Sequence, residues 1–440
     1  MATSQPRNAP RASKFSSRMI KPAQTRVPIL FLSVLCFALG TFAQETNQAS
    51  VSDLQKMIDA AKSNSIVQCD PNQQWTLSTP VKIRKPLTLL GLRARLPEKL
   101  GSTPLVVVEA KGVTIADFEL VGNAESVPQK DRAPLLIISA GDFRVERGQF
   151  INSSKDGVMI DGDGLKEDIV GGVVRDIVGR NVIRDVVSIS GSSGNAFKIR
   201  NVLVDNIRGY GSRLRGTVEV SDGTDNITVR KVYSEDSVYA IDVQDHHQIG
   251  QSNRNVVIED VYATRCKHAI RTANTRRGHN NLTVRDITAD HCVSPIQISH
   301  TDNLHLSNVR VMNHDSGKPP IHLQDCRGLS VRDVVVENVS FKGAALLLEN
   351  CEEAIVDGFS LRGQTNSLAS AVHFRITGKE NSSGLRISNV SAPRVTDAGI
   401  VIESTGKGTL TDYLITGNLT SVADRIKGER AIISNNLPER

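Results

Sequence analysis

The chain has 440 residues, 39% hydrophobic but only 4% aromatic, with a formal charge of +6 and an isoelectric point near 9.0. All six excess positive charges lie in residues 1–43, which hold no acidic residue, so the remainder is formally neutral. That balance excludes a globally basic nucleic-acid-binding surface, and the shortage of aromatics requires a core of Val, Ile and Leu.

Residues 1–43 end in the apolar run VPILFLSVLCFALGTFA (27–43). A basic leader, a short apolar stretch and small residues before a cut are the marks of a secretory signal peptide; the run is marginal for a membrane span. Met19 would give a leader of ordinary length. The expectation is secretion, extracellular or periplasmic, with no stable membrane span.

Residues 44–64 are expected to hold an N-terminal capping helix. SDLQKMIDAAKS (52–63) places Leu54, Met57, Ile58 and Ala61 on one face, and Ser52 with Gln55 has the spacing of a capping box. Short strands and turn residues follow in 65–92.

From Gly112 onward one seven-residue signature recurs. Its clearest copies are NITVRKV (226–232), NVVIEDV (255–261), NLTVRDI (281–287), NLHLSNV (303–309) and GLSVRDV (328–334). Looser copies begin at Gly112, Asp142, Gly171, Ala196, Glu353, Gly384 and Lys407, giving twelve copies spaced 22 to 31 residues apart. Serial strand-like units at that period predict a solenoid. The sixth position is Asp or Asn in nine of the twelve copies and Gly in a tenth. These types tolerate a left-handed backbone, so a sharp bend is expected in every coil.

A helix such as DLQKMIDAA, then WTLSTPVKI and PLTLLG, then serial NLTVRDI units resembles the secreted right-handed parallel β-helix superfamily of pectate lyases, over residues 52–420. The resemblance implies an all-β, right-handed, single-stranded parallel β-helix of about twelve coils spanning 65–420, with 421–440 as a C-terminal cap. It implies no single activity, because that superfamily includes lyases, hydrolases, esterases, adhesins and phage spikes. The sequence lacks polygalacturonase-like NTDG and GHG motifs, and the WIDH and RxPxxR patterns of pectate lyases.

Each coil carries a second alternating strand, such as VVSIS (186–190), TVEVS (217–221), AIDVQ (240–244), AIRTA (269–273), PIQIS (295–299) and PIHLQ (320–324). Outward residues of stacked strands form columns spaced by about 4.8 Å. One column reads Met159, Ser188, Glu219, Asp242, Arg271, Gln297, His322; the next includes Asp161, Gln244 and Gln324. Connections lengthen beside Asp242 and Arg271, in 244–254 and 273–280, supplying Asp245, His246, Arg276 and His279. Loops that lengthen on a rigid scaffold are where sites form.

Glu219, Asp242, Arg271 and His322 are therefore the candidate catalytic residues, with Asp161, Gln244, His246, Arg276, Gln297 and Gln324 as candidate substrate contacts. Glu219 and Asp242 on neighbouring coils fit two readings. One is an acid pair at the short separation of a retaining glycosidase. The other is a Ca²⁺ site of Glu219, Asp242 and Asp245. In an eliminase, Arg271 would hold a uronate carboxylate and a His would take the neighbouring proton. A plain salt-bridge ladder fits the same residues.

Cys266 with Cys292, and Cys326 with Cys351, sit at matching offsets on neighbouring coils. Buried thiol stacks are favoured, and disulfides are also permitted in a secreted chain. The functional expectation is a monomeric polysaccharide lyase or glycoside hydrolase with a polysaccharide as its only partner; a non-catalytic glycan-binding β-helix is the alternative.

Overall fold

The computed structural model describes residues 51–98, 103–124, 127–191, 198–246, 252–272, 276, 278–365, 367–379, 381–420, 424–426, 431–434 and 437–438. The signal peptide expected over 1–43 lies outside these residues, as does most of the cap expected over 421–440.

Each coil lays down one long bent strand and one short straight one. The long strands stack into a sheet of twenty strands and the short ones into a sheet of fourteen, with parallel pairing throughout the described residues. The fold is a right-handed parallel β-helix of about thirteen turns. Right-handed coiling is what parallel crossover connections demand of twisted strands.

The bends explain the signature. All twelve sixth-position residues, from Asp117 to Asp412, have φ between +50° and +74°. Asn and Asp pay little for this conformation, and they also tie coils together. The Asn281 amide donates to Asn255 Oδ1 at 2.7 Å and the Asn308 amide to Asp286 Oδ1 at 2.6 Å.

Two copies sit five residues away from the frame set by sequence. Val202 pairs with Ile227 and the Asn226 amide donates to Asn201, so the unit is NVLVDNI (201–207), not one beginning at Ala196. Likewise Arg386 pairs with Leu414, making the last unit DYLITGN (412–418). The first position is left-handed as well as the sixth: after reframing, both are so in all twelve copies, with φ from +50° to +77°. Bends five residues apart made one frame look like the other.

The helix Val51–Ala60 buries Leu54 and Ile58, while Met57, assigned to the same face, is 40% exposed. Gln55 does not close a capping box. Its Oε1 accepts from Lys82 N at 2.8 Å and its Nε2 donates to Lys82 O at 3.1 Å. The helix thus occupies both backbone groups at the open edge of strand Val81–Ile83, where an incoming chain could otherwise pair.

Stacked aliphatic side chains fill the interior, including Val158, Ile160, Val187, Ile189, Val218, Val220, Ile241 and Val243, all at 0% exposure. The five described cysteines are buried free thiols. The Sγ atoms of Cys266, Cys292, Cys326 and Cys351 donate to backbone carbonyls, as Cys292 does to Ala263 O at 3.6 Å and Cys351 to Leu323 O at 3.5 Å.

Candidate active site

The outward column of the short sheet stacks in register. Ser188, Glu219, Asp242, Arg271, Gln297 and His322 are successive partners on Val187–Ser190, Gly216–Ser221, Tyr239–Gln244, His268–Thr272, Ile296–Ser299 and Ile321–Gln324. Although these residues point away from the interior, the middle of the column is not open to solvent. Glu219 is 1% exposed and Asp242 is 0%.

Arginines cover both acids. Glu219 accepts from Arg215 and, at 3.4 Å, from Arg184. Asp242 accepts from both Nε and Nη2 of Arg271, and from the Gln244 amide. Burying a carboxylate is tolerable only with such pairing. The side chains of Arg184, Arg215 and Arg271 remain 22–25% exposed. The solvent-facing layer is consequently cationic and the acids lie beneath it, so Glu219 and Asp242 orient arginines rather than meet a ligand directly.

A second buried acid pair flanks this layer. Asp156 and Asp185 are both 0% exposed, one coil apart, and Asp185 N donates to Asp156 Oδ1 at 3.2 Å. Gly216 N continues the ladder to Asp185 Oδ1 at 3.2 Å. Tyr239, from the coil beyond, reaches across Gly216 and donates its hydroxyl to the same Oδ1 at 2.9 Å. A Cβ at position 216 would come within 1.9 Å of Tyr239 O and 2.3 Å of its ring, so only glycine allows that reach. The Arg271 guanidinium lies 4.9 Å from the Tyr239 ring centroid, a cation–π contact. Burial and the neighbouring Asp156 push Asp185 up to about 7 against the pull of Arg215 and Arg184. Burial also raises Asp156, and raises Tyr239 well above the ordinary phenol value.

His246 completes the constellation from the connection after Gln244. Its backbone N donates to Asp222 Oδ1 at 2.8 Å and its Nδ1 lies 2.6 Å from Asp222 Oδ2. Its Nε2 lies 3.2 Å from Arg215 Nη2 and 3.4 Å from Glu219 Oε1. With Nδ1–H donated to Asp222, the Nε2 lone pair faces the arginine layer, and the ring is 32% exposed. A carboxylate that fixes the tautomer and leaves the far nitrogen basic is the arrangement of a general base.

The other predicted residues are scattered. Asp161 lies two coils before Ser221 on the second column, and its Oδ1 accepts from Asp163 N at 3.1 Å. Gln297 and His322 continue the first column past Arg271, but His322 faces Glu349 Oε2 at 3.7 Å, away from the Glu219 cluster. Gln324 donates to Asp325 at 2.9 Å. Arg276 is exposed and Asp245 buried. His279 is buried in an interior row, where its Nδ1 meets the Asn253 amide at 3.2 Å. Among the described residues no group of three His, Cys, Asp or Glu side chains is arranged to hold a metal, and two of the three acids named for Ca²⁺, Glu219 and Asp242, already face arginines.

Sequence reasoning missed Asp156, Arg184, Asp185, Arg215 and Tyr239. Their signal is in the third and second residues before the stacked Val158, Val187, Val218, Ile241 and Ile270: Lys155-Asp156, Arg184-Asp185, Arg215-Gly216, Val238-Tyr239 and Lys267-His268. A basic residue recurs at the first of these in four of five coils, a periodicity visible only once the coils are aligned.

No family model matches the sequence, and no curated protein does. Solved structures do. The catalytic domain of Agl-KA has 13% identity and a TM-score of 0.50, with 84% of this chain and 69% of that one covered. The A-module of the mannuronan C-5 epimerase AlgE4 of Azotobacter vinelandii has 11% identity and a TM-score of 0.43, covering 87% and 99%. Endopolygalacturonase I of Stereum purpureum, solved with two galacturonates, has 12% identity and a TM-score of 0.41, covering 89% and 99%. At such identities the likeness is one of fold: the chain is a right-handed parallel β-helix protein. Among the described residues no helix is long and apolar enough to cross a membrane.

Proposed function

We infer that the protein is a secreted, monomeric, carbohydrate-active enzyme that cleaves a uronate-containing polysaccharide by β-elimination on the short-sheet face. The observation that carries this reading is the pairing of a partly exposed arginine layer with the Asp222–His246 dyad, whose Nε2 lies 3.2 Å from Arg215.

Elimination needs two things at once: neutralisation of a carboxylate, and removal of the proton on the carbon beside it. Arg184, Arg215 and Arg271 supply fixed guanidinium groups whose orientation is set by Glu219 and Asp242. A uronate that engages Arg215 takes the hydrogen bond this residue gives His246 Nε2, freeing the lone pair at the moment it is needed. Nε2 then accepts the proton, the electron pair forms a carbon–carbon double bond, and the glycosidic oxygen leaves with its bonding electrons. The buried positions of Glu219 and Asp242 disfavour the retaining-glycosidase reading, which requires a carboxylate to touch the sugar.

The test is a panel of uronate and neutral polysaccharides, followed by ultraviolet absorbance of unsaturated products and by reducing ends. Absorbance that disappears in His246→Ala supports elimination. Reducing ends without absorbance would make the protein a hydrolase. Binding with neither product would make it a glycan-binding β-helix.

A further inference from the structure

A second feature of the same face begins one coil beyond Arg271 and extends away from the arginine layer. The connection that follows Ser370–Ile376 is also longer than those of the tight coils, and the cluster around His246 makes no use of it. Its Ile376, Gly378, Lys379, Asn381 and Ser382 form one wall of a cleft of about 440 Å³, opposite the bends of three preceding coils. His300, Asp325 and Asn350 occupy equivalent bend positions, linked by His300 N to Gln324 O at 2.9 Å, Asp325 N to Glu349 O at 2.8 Å and Asn350 N to Arg375 O at 2.9 Å. Lys379, Asn381 and Ser382 line the facing wall.

The cleft is preformed. Asn350 Oδ1 accepts from Thr377 N at 2.8 Å and from Gly378 N at 3.4 Å, pinning the start of the loop. Asn381 Oδ1 accepts from Thr409 N and Thr409 Oγ1, both at 3.0 Å, pinning its end. A loop fixed at both ends loses little entropy when a ligand enters. The lining combines an imidazole facing a carboxylate (His300 Nε2 to Asp325 Oδ2, 3.4 Å), a second carboxylate from Glu352, two amides, a hydroxyl and one exposed ammonium, with Ile376 as an apolar wall. Closely spaced donors and acceptors beside an apolar wall suit a polyhydroxylated ligand, whose hydroxyls pair and whose C–H faces pack, better than a wholly apolar one.

Its position suggests which one. His300 follows Ser299 at the end of the strand that carries Gln297, three coils beyond Glu219, and Ile376 lies three coils further. At the usual strand spacing the cleft runs about 15–30 Å along the axis from Glu219, and about 5–20 Å from Arg271 at the near edge of the arginine layer, within a few sugar residues on the same face.

We propose that this cleft is a second carbohydrate-binding site, which holds a distal stretch of the polysaccharide while another stretch lies over the arginine layer. The polymer identity rests on the elimination reading; the existence of the site does not. The experiment uses Lys379→Ala and Asp325→Ala, each checked for an unchanged circular dichroism spectrum, with Lys379→Glu as an exposed-site variant that cannot unfold a core. Binding of a panel of acidic and neutral oligosaccharides is measured by calorimetry on a His246→Ala background, so no turnover is needed. Weakening of about tenfold in the cleft variants is expected. With active enzyme the same changes should raise KM on polymer while leaving kcat and KM on disaccharides and trisaccharides unaltered. Oligosaccharide binding indifferent to all three substitutions, or no binding at all, overturns the proposal even if the enzyme is an eliminase. Cleft-dependent binding without product on any glycan upholds it while removing the elimination reading.

Discussion

The Tyr239 hydroxyl donates to Asp185 Oδ1 at 2.9 Å although two coils separate them, because the intervening Gly216 has no side chain to block the ring. One contact thus joins the buried acid pair to the arginine layer, since the same ring carries the Arg271 guanidinium. Tyr239→Phe leaves the buried Asp185 short of a donor and should cost about 1–3 kcal/mol. Gly216→Ala should cost more, as the ring must be expelled. Chemical denaturation measures both, and an alanine variant as stable as the parent would remove the ring from this role.

Asp185 gives a pH signature of definite sign. Its folded-state value of about 7 lies above the ordinary 3.8, so the folded chain keeps a proton that the unfolded chain has released. Stability from this group must then fall as pH rises from about 4 to about 7. Asp185→Asn retains an acceptor for Tyr239 and Gly216 but cannot ionise. Its melting temperature should decline less over that window. Parallel curves for parent and variant would place the titration elsewhere.

Arg271 is expected to be structural as well as functional. Asp242 is 0% exposed, so Arg271→Ala strands a buried carboxylate, at a cost of about 3–5 kcal/mol. The double change Asp242→Asn with Arg271→Met removes both charges and should recover most of that loss without restoring turnover. A double variant no more stable than Arg271→Ala would show that the pair is not the cause.

The dyad predicts a kinetic ordering. His246→Ala should lower kcat by about 10²–10⁴-fold. Asp222→Asn should lower it less at saturating substrate, with a changed pH profile, because the imidazole stays but its tautomer is no longer held. Equal turnover by parent and both variants would dismiss His246 as the base.

The left-handed bends offer a stabilising change. Lys231 adopts φ +53° at a position where Asp, Asn or Gly stands in most other coils. Its exposed Nζ is 3.9 Å from Asp205, too loose to contribute much. Lys231→Asn should add about 0.5–1 kcal/mol by relieving the backbone. A lower melting temperature would mean that the lysine stem packs in a way the bend alone does not reveal.

Much of this architecture could be read from the chain because a solenoid turns sequence period directly into spatial register. The row from Ser188 to His322 was legible for that reason alone. What could not be read was depth. Alternation placed Glu219 and Asp242 outward, but the covering of Glu219 comes from Arg184 and Arg215, which precede the strands and belong to no alternating pattern. Tyr239 escaped notice because its contact skips a coil, whereas periodic reasoning pairs neighbours. His322 was grouped with Glu219 by shared column, yet side-chain reach couples it to Glu349 on the following coil.

The Glu219 cluster draws Asp156, Arg184, Arg215, Tyr239 and Arg271 from five consecutive coils, one or two residues from each. Such a site behaves as a vernier. Lengthening a connection within one coil alters only the rim, but adding or removing a whole coil displaces everything beyond it by one strand spacing and separates groups that must touch. By the same reasoning, a coil can be duplicated before 156 or after 382 with little effect on either site, and hardly at all within 156–271.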